Sequence, residues 1–266
     1  MEVVILPDGD AVADHAARLV AELVRSRPDA VLGVATGSSP VGIYRRLAAA
    51  VDAGELSFAR AAAFALDEYA GLPPEDPHSY AAYIAGHVTG PLGLDPARVH
   101  VPDGNAADLA AAGAAYEAAI AGAGGVDLQI LGIGANGHIG FNEPSSSFAS
   151  RTRVKALTRQ TREDNARFFG SLADVPTHCL TQGLGTIMDA RRIVLVAQGS
   201  HKAAAVAGAA EGPVTAMCPA SVLQFHPDAV LVVDEAAAAQ LTLTDYYRTA
   251  YEADHAKRGT HGFPPQ

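Results

Sequence analysis

The sequence LGIGANGHIGFNEP, residues 131–144, follows an apolar run that ends at Leu131. Its first glycines match the GxGxxG pattern of dinucleotide-binding folds, in which the last glycine opens a helix. Here Gly140 and Pro144 interrupt any such helix, and no acidic residue ends a second strand at the expected distance. We therefore interpret the stretch as a glycine-rich loop after a strand, whose backbone passes close to a ligand.

The same loop holds two side chains that can transfer protons, His138 and Glu143. A single histidine is more often structural, but a histidine and a carboxylate in a glycine-rich loop at a strand end favour an acid–base pair. A metal site is the weaker interpretation, because the sequence offers neither a third ligand nor HExxH spacing.

Outward from this loop, short apolar runs alternate with alanine-rich stretches that favour helix. The runs are nearly continuous, which is typical of parallel strands covered on both faces. The pattern predicts a doubly wound α/β fold: a mostly parallel sheet with helices on both faces, a Rossmann-like three-layer sandwich that binds ligands at the carboxyl ends of its strands. The predicted strands are residues 2–6, 30–35, 61–66, 127–131, 192–197 and 229–233, and the predicted helices lie near 10–27, 40–53, 78–89, 105–123, 182–190 and 200–210.

Residues 144–181 depart from this alternation. They are rich in Ser, Arg, Thr and Asn, and only residues 161–169 resemble a short helix. A long polar insertion in a compact domain is often an active-site lid, which is our expectation here. Since no repeat or linker divides the chain, we predict a single domain over residues 1–266.

Two further strand ends carry residues suited to binding an anion. The first carries Thr36, Gly37, Ser38 and Ser39. Pro40 follows at the expected first helical position, with Ser39 as the N-cap, and free backbone N–H groups at such a helix start bind anions. A plain capped turn is the alternative. Lys202 stands at a second helix start, where it opposes the helix dipole; a bound phosphate would explain it, although solvated surface lysines are more common.

Asp67 and Glu68 directly follow the predicted strand 61–66. Adjacent acids at a strand end are often simply solvated. The carboxyl end of a buried parallel strand is also where a general base would be partly desolvated, with its pKa raised, so Asp67 is our candidate base.

The composition excludes several classes of protein. The 266 residues are 49% hydrophobic and 18% charged, as in globular proteins, and the net charge of -10 opposes nucleic acid and anionic membranes as partners. Only Cys179 and Cys218 occur, far apart, and no basic, apolar leader begins the chain, so we expect a cytoplasmic protein.

Taken together, in matching order over essentially the whole chain, these segments resemble the glucosamine-6-phosphate deaminase family, also known as the glucosamine/galactosamine-6-phosphate isomerases. The loop of residues 132–144 carries most of the resemblance, and four shorter motifs support it. They are ATGSSP at 35–40, LDEYAGL at 66–72, SRTR at 150–153 and GSHK at 199–202.

The resemblance implies the conversion of glucosamine 6-phosphate to fructose 6-phosphate and ammonia, without a cofactor. His138, assisted by Glu143 and Asn136, would open the sugar ring, and Asp67 would then move a proton from C2 to C1. Some members carry Asp where this chain has Asn136, so we expect ring opening to depend more on Glu143.

It also implies how the phosphate and an effector would bind. Arg167 from the lid and Lys202 would close around a phosphate held by residues 36–39. N-acetylglucosamine 6-phosphate would activate a homohexamer at Ser146, Arg153 and Lys155, whereas these could also be lid-surface groups.

Two other functions remain open from the sequence. A 6-phosphogluconolactonase shares this fold and binds a sugar phosphate, but would not require the 66–72 motif together with the 142–144 loop. A non-catalytic sugar-phosphate sensor should carry a basic helix-turn-helix module, and the strand pattern already begins at Val3.

Overall fold

The computed structural model describes residues 1–259, with side chains as far as residue 253. Its main sheet contains seven parallel strands in the order β1-β10-β9-β6-β2-β3-β5, surrounded by helices. This confirms the doubly wound α/β fold that the apolar runs predict. The strands are β1 Glu2–Leu6, β2 Val31–Val34, β3 Ala62–Ala65, β4 Asp67–Tyr69, β5 Val99–His100, β6 Leu128–Leu131, β7 Arg153–Ala156, β8 His178–Thr181, β9 Arg192–Ala197 and β10 Ala229–Asp234.

The helices follow the predicted positions, with one addition near the end of the described chain. They are α1 Gly9–Ser26, α2 Val41–Asp52, α3 Tyr80–Ile84, α4 Gly90–Leu92, α5 Leu109–Gly122, α6 Arg159–Asn165, α7 Leu184–Met188, α8 Ala203–Ala210 and α9 Thr244–Gly259. A π-helical turn, Ala85–Thr89, joins α3 to α4, and α9 was not predicted, because its sequence is polar and follows the last strand.

The order of the strands determines where a ligand can enter. From β2 the chain proceeds outward to β3 and β5, and from β6 it proceeds in the opposite direction to β9 and β10. Successive strands are therefore added in opposite directions on the two sides of the β2–β6 boundary. A crevice at the carboxyl ends of two such strands is the usual ligand site of this fold. The loops that follow β2 and β6 are those singled out from the sequence, residues 36–39 and 132–144.

A second, antiparallel sheet corrects the prediction for residues 144–181. Strands β7 and β8 lie in this segment and pair with β4 in the order β4-β8-β7, and Asp67 is the register partner of Thr181. The expected short helix is present as α6, but β7 and β8 were not predicted, because this sheet depends on pairing between distant segments and β7 alternates in burial. A small apolar cluster that includes Tyr69, Phe141 and Cys179 packs against it.

The start of α2 differs from the prediction as well. The helix begins at Val41 with Pro40 as its N-cap residue, and no side chain caps it. Ser39 therefore does not act as the N-cap; it lines a cleft instead.

In the centre of the main sheet, Gly33 and Gln129 are register partners on β2 and β6. Gln129 is fully buried, donates its Nε2 to the Ile130 carbonyl at 2.9 Å, and occupies the space that a Cβ on Gly33 would need. Even a methyl group cannot be added at Gly33 without moving the buried amide of Gln129.

We expect Gly33→Ala to lower the free energy of unfolding by about 1–3 kcal/mol, because the methyl group overpacks the sheet. Urea denaturation measures this loss. The double variant Gly33→Ala/Gln129→Ala should recover part of it, since the clash is removed. Gly86→Ala is the control, because a Cβ there meets no atom within 4 Å; an equal loss in both glycine variants would contradict the explanation.

Candidate active site

One cleft lies at the carboxyl ends of β2, β3 and β6, and the predicted site residues on three loops line it. Residues 35–39, Leu66 and Asp67, the loop 132–141 and the far end of α6 contribute to its walls. Of the predicted residues, the structure brings together Asp67, His138, Thr36, Gly37, Ser38, Ser39, Arg167 and Lys202. Asn136 and Glu143 lie behind His138 rather than on the surface of the cleft.

Asp67 lies at the junction of the two sheets. Its side chain is 4% exposed and reaches the cleft beside Gly140 and Thr181. Burial, with the charge of the adjacent Glu68 as a second cause, raises the pKa of Asp67 to about 8, while the Phe141 N–H and the Thr181 hydroxyl oppose the shift. A carboxyl group with this pKa is able to exchange protons near neutral pH.

Glu68 is buried on the opposite side of the same strand. Its carboxylate accepts from the backbone N–H groups of Tyr69, Tyr80 and Ala81 at 2.8, 2.9 and 2.8 Å. The last two are the first residues of α3, so Glu68 supplies acceptors that a helix start lacks. Strand β4 and helix α3 are therefore joined next to Asp67.

His138 faces the cleft from the glycine-rich loop. Its ring fills the space that a side chain at Gly134 would occupy, so the glycine permits the ring to lie against the backbone. His138 Nδ1 is 3.6 Å from Glu143 Oε2, a distance too long for a direct hydrogen bond. Asn136 connects the two residues: its Nδ2 donates to Glu143 Oε2 at 2.8 Å, and its Oδ1 accepts from the His138 backbone N–H at 3.2 Å.

Glu143 is 2% exposed and receives hydrogen bonds from three residues on two segments. Besides Asn136, the donors are the Thr158 N–H and hydroxyl at 3.3 and 3.2 Å and the Thr161 hydroxyl at 2.5 Å. Burial acts to raise the pKa of Glu143, but His138 and these donors outweigh it and lower the pKa to about 2. The loop thus holds a buried carboxylate close to an imidazole, an arrangement suited to stabilising a protonated histidine.

The other end of the cleft carries the positive groups. Arg167 follows α6, and Lys202 precedes α8, beside the turn of residues 36–39. Burial lowers the pKa of Lys202; the charge of Asp164 opposes this shift and that of Arg167 adds to it. Two cations next to a helix start form an environment suited to an anion.

Tyr83 fixes the orientation of the turn. Its hydroxyl donates to the Gly37 carbonyl at 2.7 Å, and Gly37 has a φ of 89°, a conformation that glycine adopts without strain. The Gly37 carbonyl and the Ser38 N–H belong to one trans peptide plane and point in opposite directions. Tyr83 therefore keeps the Ser38 N–H directed away from α3.

The three predicted effector residues lie near the small sheet. Ser146 is buried, and its hydroxyl donates to the Glu143 carbonyl at 2.6 Å. Arg153 donates to Asn142 Oδ1 at 2.8 Å, and Lys155 is two residues further along β7, on the same face. Their role as an effector site stays a prediction.

Several cleft residues were missed by the sequence analysis. Tyr80 lines the cleft and contacts Tyr69 across 3.4 Å between hydroxyls, and Asn165 donates to the Tyr69 hydroxyl at 3.0 Å. Thr161 and Asp164 also line it. The pairing of α6 with the loop brings Thr161, Asp164 and Asn165 to the site, so no local signal in the polar segment could identify them. Tyr80 reaches the cleft from α3.

Among the side chains that the structure describes, those of residues 1–253, no group of three or more His, Cys, Asp or Glu is arranged to hold a metal ion. Over the same part of the chain, none of the helices has the length and apolar character needed to cross a membrane.

The site combines a carboxyl group with a raised pKa, Asp67, and one with a lowered pKa, Glu143, with a cationic turn at the switch point of a doubly wound sheet. This combination defines the class: α/β proteins that carry out proton transfer on small anionic ligands. The chain belongs to the family of glucosamine-6-phosphate isomerases and 6-phosphogluconolactonases, whose model matches residues 9–232.

Individual relatives agree with this assignment. The glucosamine-6-phosphate deaminase of Pseudarthrobacter chlorophenolicus is 61% identical over 252 residues, which cover 95% of this chain and 97% of that protein. The deaminase of Cutibacterium acnes is 60% identical over 248 residues, which cover 93% and 95%.

Among solved structures, a monomeric glucosamine-6-phosphate deaminase is 43% identical, with a TM-score of 0.88 over 90% of this chain and 100% of that one. A 6-phosphogluconolactonase from Trypanosoma brucei has a TM-score of 0.73 at 18% identity, covering 91% and 98%, and shares the fold alone.

The raised pKa of Asp67 has a measurable effect on stability. The folded protein binds this proton more tightly than the unfolded chain, so the stabilising contribution is complete below about pH 4 and is lost as the pH rises through about 8. Asp67→Asn should therefore be more stable than the wild type at pH 8, by at least about 2 kcal/mol, and similar to it at pH 4. Urea unfolding at both pH values tests this.

Asp52→Asn provides the comparison, because Asp52 is exposed at the end of α2. If Asp67→Asn and Asp52→Asn change stability equally at pH 8, the carboxyl group of Asp67 is not protonated at neutral pH.

Removal of the Tyr83 hydroxyl should weaken anion binding at the turn. We expect Tyr83→Phe to raise the Kd for inorganic phosphate about three- to tenfold, because the loss of one hydrogen bond frees the Gly37 peptide to rotate. Calorimetric titration measures the change. Tyr247→Phe, which loses a hydroxyl bonded to Glu211 outside the cleft, should bind phosphate as the wild type does. Unchanged binding by both variants would show that the turn holds its shape without Tyr83.

Proposed function

We propose that this protein is a glucosamine-6-phosphate deaminase that converts glucosamine 6-phosphate and water to fructose 6-phosphate and ammonia. The observation that carries the proposal is the position of a buried base, Asp67, across one cleft from the His138–Glu143 pair, with the cationic turn at its far end. Relatives at 60–61% identity that bear the name of this enzyme support the choice of substrate.

The first step is the opening of the sugar ring. His138 exchanges a proton with the ring oxygen, and Glu143, held ionised by its donors, stabilises the positive imidazole. Asn136 cannot share the charge of His138, but its two hydrogen bonds hold the Glu143 carboxylate and the His138 backbone in fixed relative positions. The ring-opening pair therefore consists of His138 and Glu143, with Asn136 as their spacer.

The second step moves a proton along the open chain. Asp67 in its ionised form removes the proton from C2, and the C1 carbonyl oxygen takes up a proton, which leaves an enolamine with its double bond between C1 and C2. Asp67 then returns its proton to C1. The enolamine becomes an imine, and water replaces the nitrogen to release ammonia and fructose 6-phosphate. Because the carbon–nitrogen bond breaks only after isomerisation, we describe the enzyme as an isomerising deaminase rather than a plain hydrolase.

The phosphate of both sugars would bind at the turn. Thr36, Gly37, Ser38 and Ser39 offer hydroxyl and backbone N–H donors, and Arg167 and Lys202 offer charge. Arg167 is exposed just after α6, within the 144–181 segment, so we propose that this segment acts as a lid within one domain. The same cleft would thus hold the sugar by its phosphate while protons move at C1 and C2.

Assembly and regulation stay predictions. A homohexamer activated by N-acetylglucosamine 6-phosphate at Ser146, Arg153 and Lys155 follows from the resemblance, whereas the 43% identical relative of known structure is a monomer. A cytoplasmic location is likewise an expectation from the sequence. Lactone hydrolysis has only the shared fold in its favour.

The direct test is ammonia release from glucosamine 6-phosphate by the purified protein. We expect steady release by the wild type and a loss of at least about 100-fold in kcat for Asp67→Asn, which keeps the shape of the side chain but cannot accept a proton. Addition of N-acetylglucosamine 6-phosphate should shift the saturation curve if the effector site is functional. Hydrolysis of 6-phosphogluconolactone without ammonia release would refute the proposal.

A further inference from the structure

One charged residue in the cleft has no part in the proposed reaction. Asp164 lies on α6 and lines the cleft together with Arg167 and Lys202. Its charge acts on Lys202, whose pKa it raises against the effect of burial. A carboxylate in this position opposes the binding of a phosphate dianion, so its presence requires an explanation.

The position of Asp164 is fixed by the contacts of α6. Near the start of the helix, the Thr158 and Thr161 hydroxyls donate to Glu143. At its end, Asn165 donates to the Tyr69 hydroxyl at 3.0 Å. Gln160 Nε2 donates to Asp164 Oδ1 at 2.9 Å, which holds the carboxylate itself. Asp164 itself is exposed, and these contacts hold the helix that carries it beside the cleft.

The neighbouring acid on the same helix offers a contrast. Glu163 pairs with Arg159 at 2.7 Å and does not line the cleft. Both side chains carry one negative charge on adjacent residues of α6. Of the two, Asp164 lines the cleft with Arg167 and Lys202, and its charge acts on Lys202.

We propose that Asp164 weakens the binding of sugar phosphates in the cleft, so that the product can leave. The inference rests on the proposed function. Substrate and product carry the same phosphate, so a site with Arg167, Lys202 and backbone donors unopposed would bind both tightly and slow product release. Asp164 offsets part of this positive charge without contacting the reacting carbons.

Asp164→Asn keeps the size of the side chain and its contact with Gln160 while removing the charge. The KM for glucosamine 6-phosphate, the Ki for fructose 6-phosphate and the Kd for inorganic phosphate should all fall by the same factor, about three- to tenfold, and kcat should not rise. The effect should shrink in about 1 M salt, where screening reaches a few ångströms. A structural role would not produce this salt dependence.

Glu163→Gln is the matched control, since it removes the same charge from the same helix. Equal gains in phosphate affinity in both variants would overturn the inference, because the net charge of α6, rather than the position of Asp164 in the cleft, would then explain the change. Unchanged phosphate binding by Asp164→Asn would overturn it as well.

Titration with inorganic phosphate separates this inference from the proposed function. If the wild type binds phosphate, Asp164→Asn binds it more tightly and Glu163→Gln does not, the role of Asp164 at the anion site stands even when no ammonia is released. If the wild type releases ammonia but Asp164→Asn has wild-type KM and Ki, the deaminase assignment stands and this inference fails.

Discussion

The cleft depends on the satisfaction of one buried carboxylate, that of Glu143. A charge removed from water is strongly unfavourable unless hydrogen bonds replace its hydration. Glu143 obtains them from Asn136 within its own loop and from Thr158 and Thr161 at the start of α6. The same contacts therefore keep a carboxylate ionised beside His138 and hold α6 against the loop, so any movement of α6 away from the loop would break hydrogen bonds of Glu143.

Two buried carboxyl groups in this cleft have opposite properties, although burial acts on both in the same direction. Asp67 has two opposing donors and a negative neighbour, and its pKa rises to about 8. Glu143 has several donors and an imidazole nearby, and its pKa falls to about 2. Hydrogen bonding rather than depth thus decides which group can carry a proton and which stays charged. Such a separation of pKa values is how one site supplies both a proton acceptor and a fixed negative charge.

Features that depend on residues close together in the sequence could be predicted, whereas features that depend on contacts between distant residues could not. Six of the seven strands of the main sheet are continuous apolar runs, so their positions were predicted to within about two residues, whereas β5, only two residues long, was not predicted. The loop of residues 132–144 was identified from its own glycines, His138 and Glu143. The small sheet was missed because β4, β7 and β8 are short and gain stability only by pairing with one another across more than 100 residues, from Asp67 to Thr181. The contacts of Thr161 with Glu143 and of Tyr83 with Gly37 likewise join segments that are distant in the sequence.

The two ends of the cleft are held apart by polar contacts rather than by the apolar core. Glu68, beside the candidate base, binds the start of α3, and Tyr83 on that helix holds the Gly37 peptide. On the opposite wall, Glu143 binds the start of α6, whose far end carries Asp164 into the cleft. Each wall thus connects a group near the proton chemistry to a group near the anion site through one short helix. Because hydrogen bonds are directional and apolar packing is not, this arrangement fixes the distance between the two ends, which a ligand with a phosphate several bonds from its reacting carbons requires.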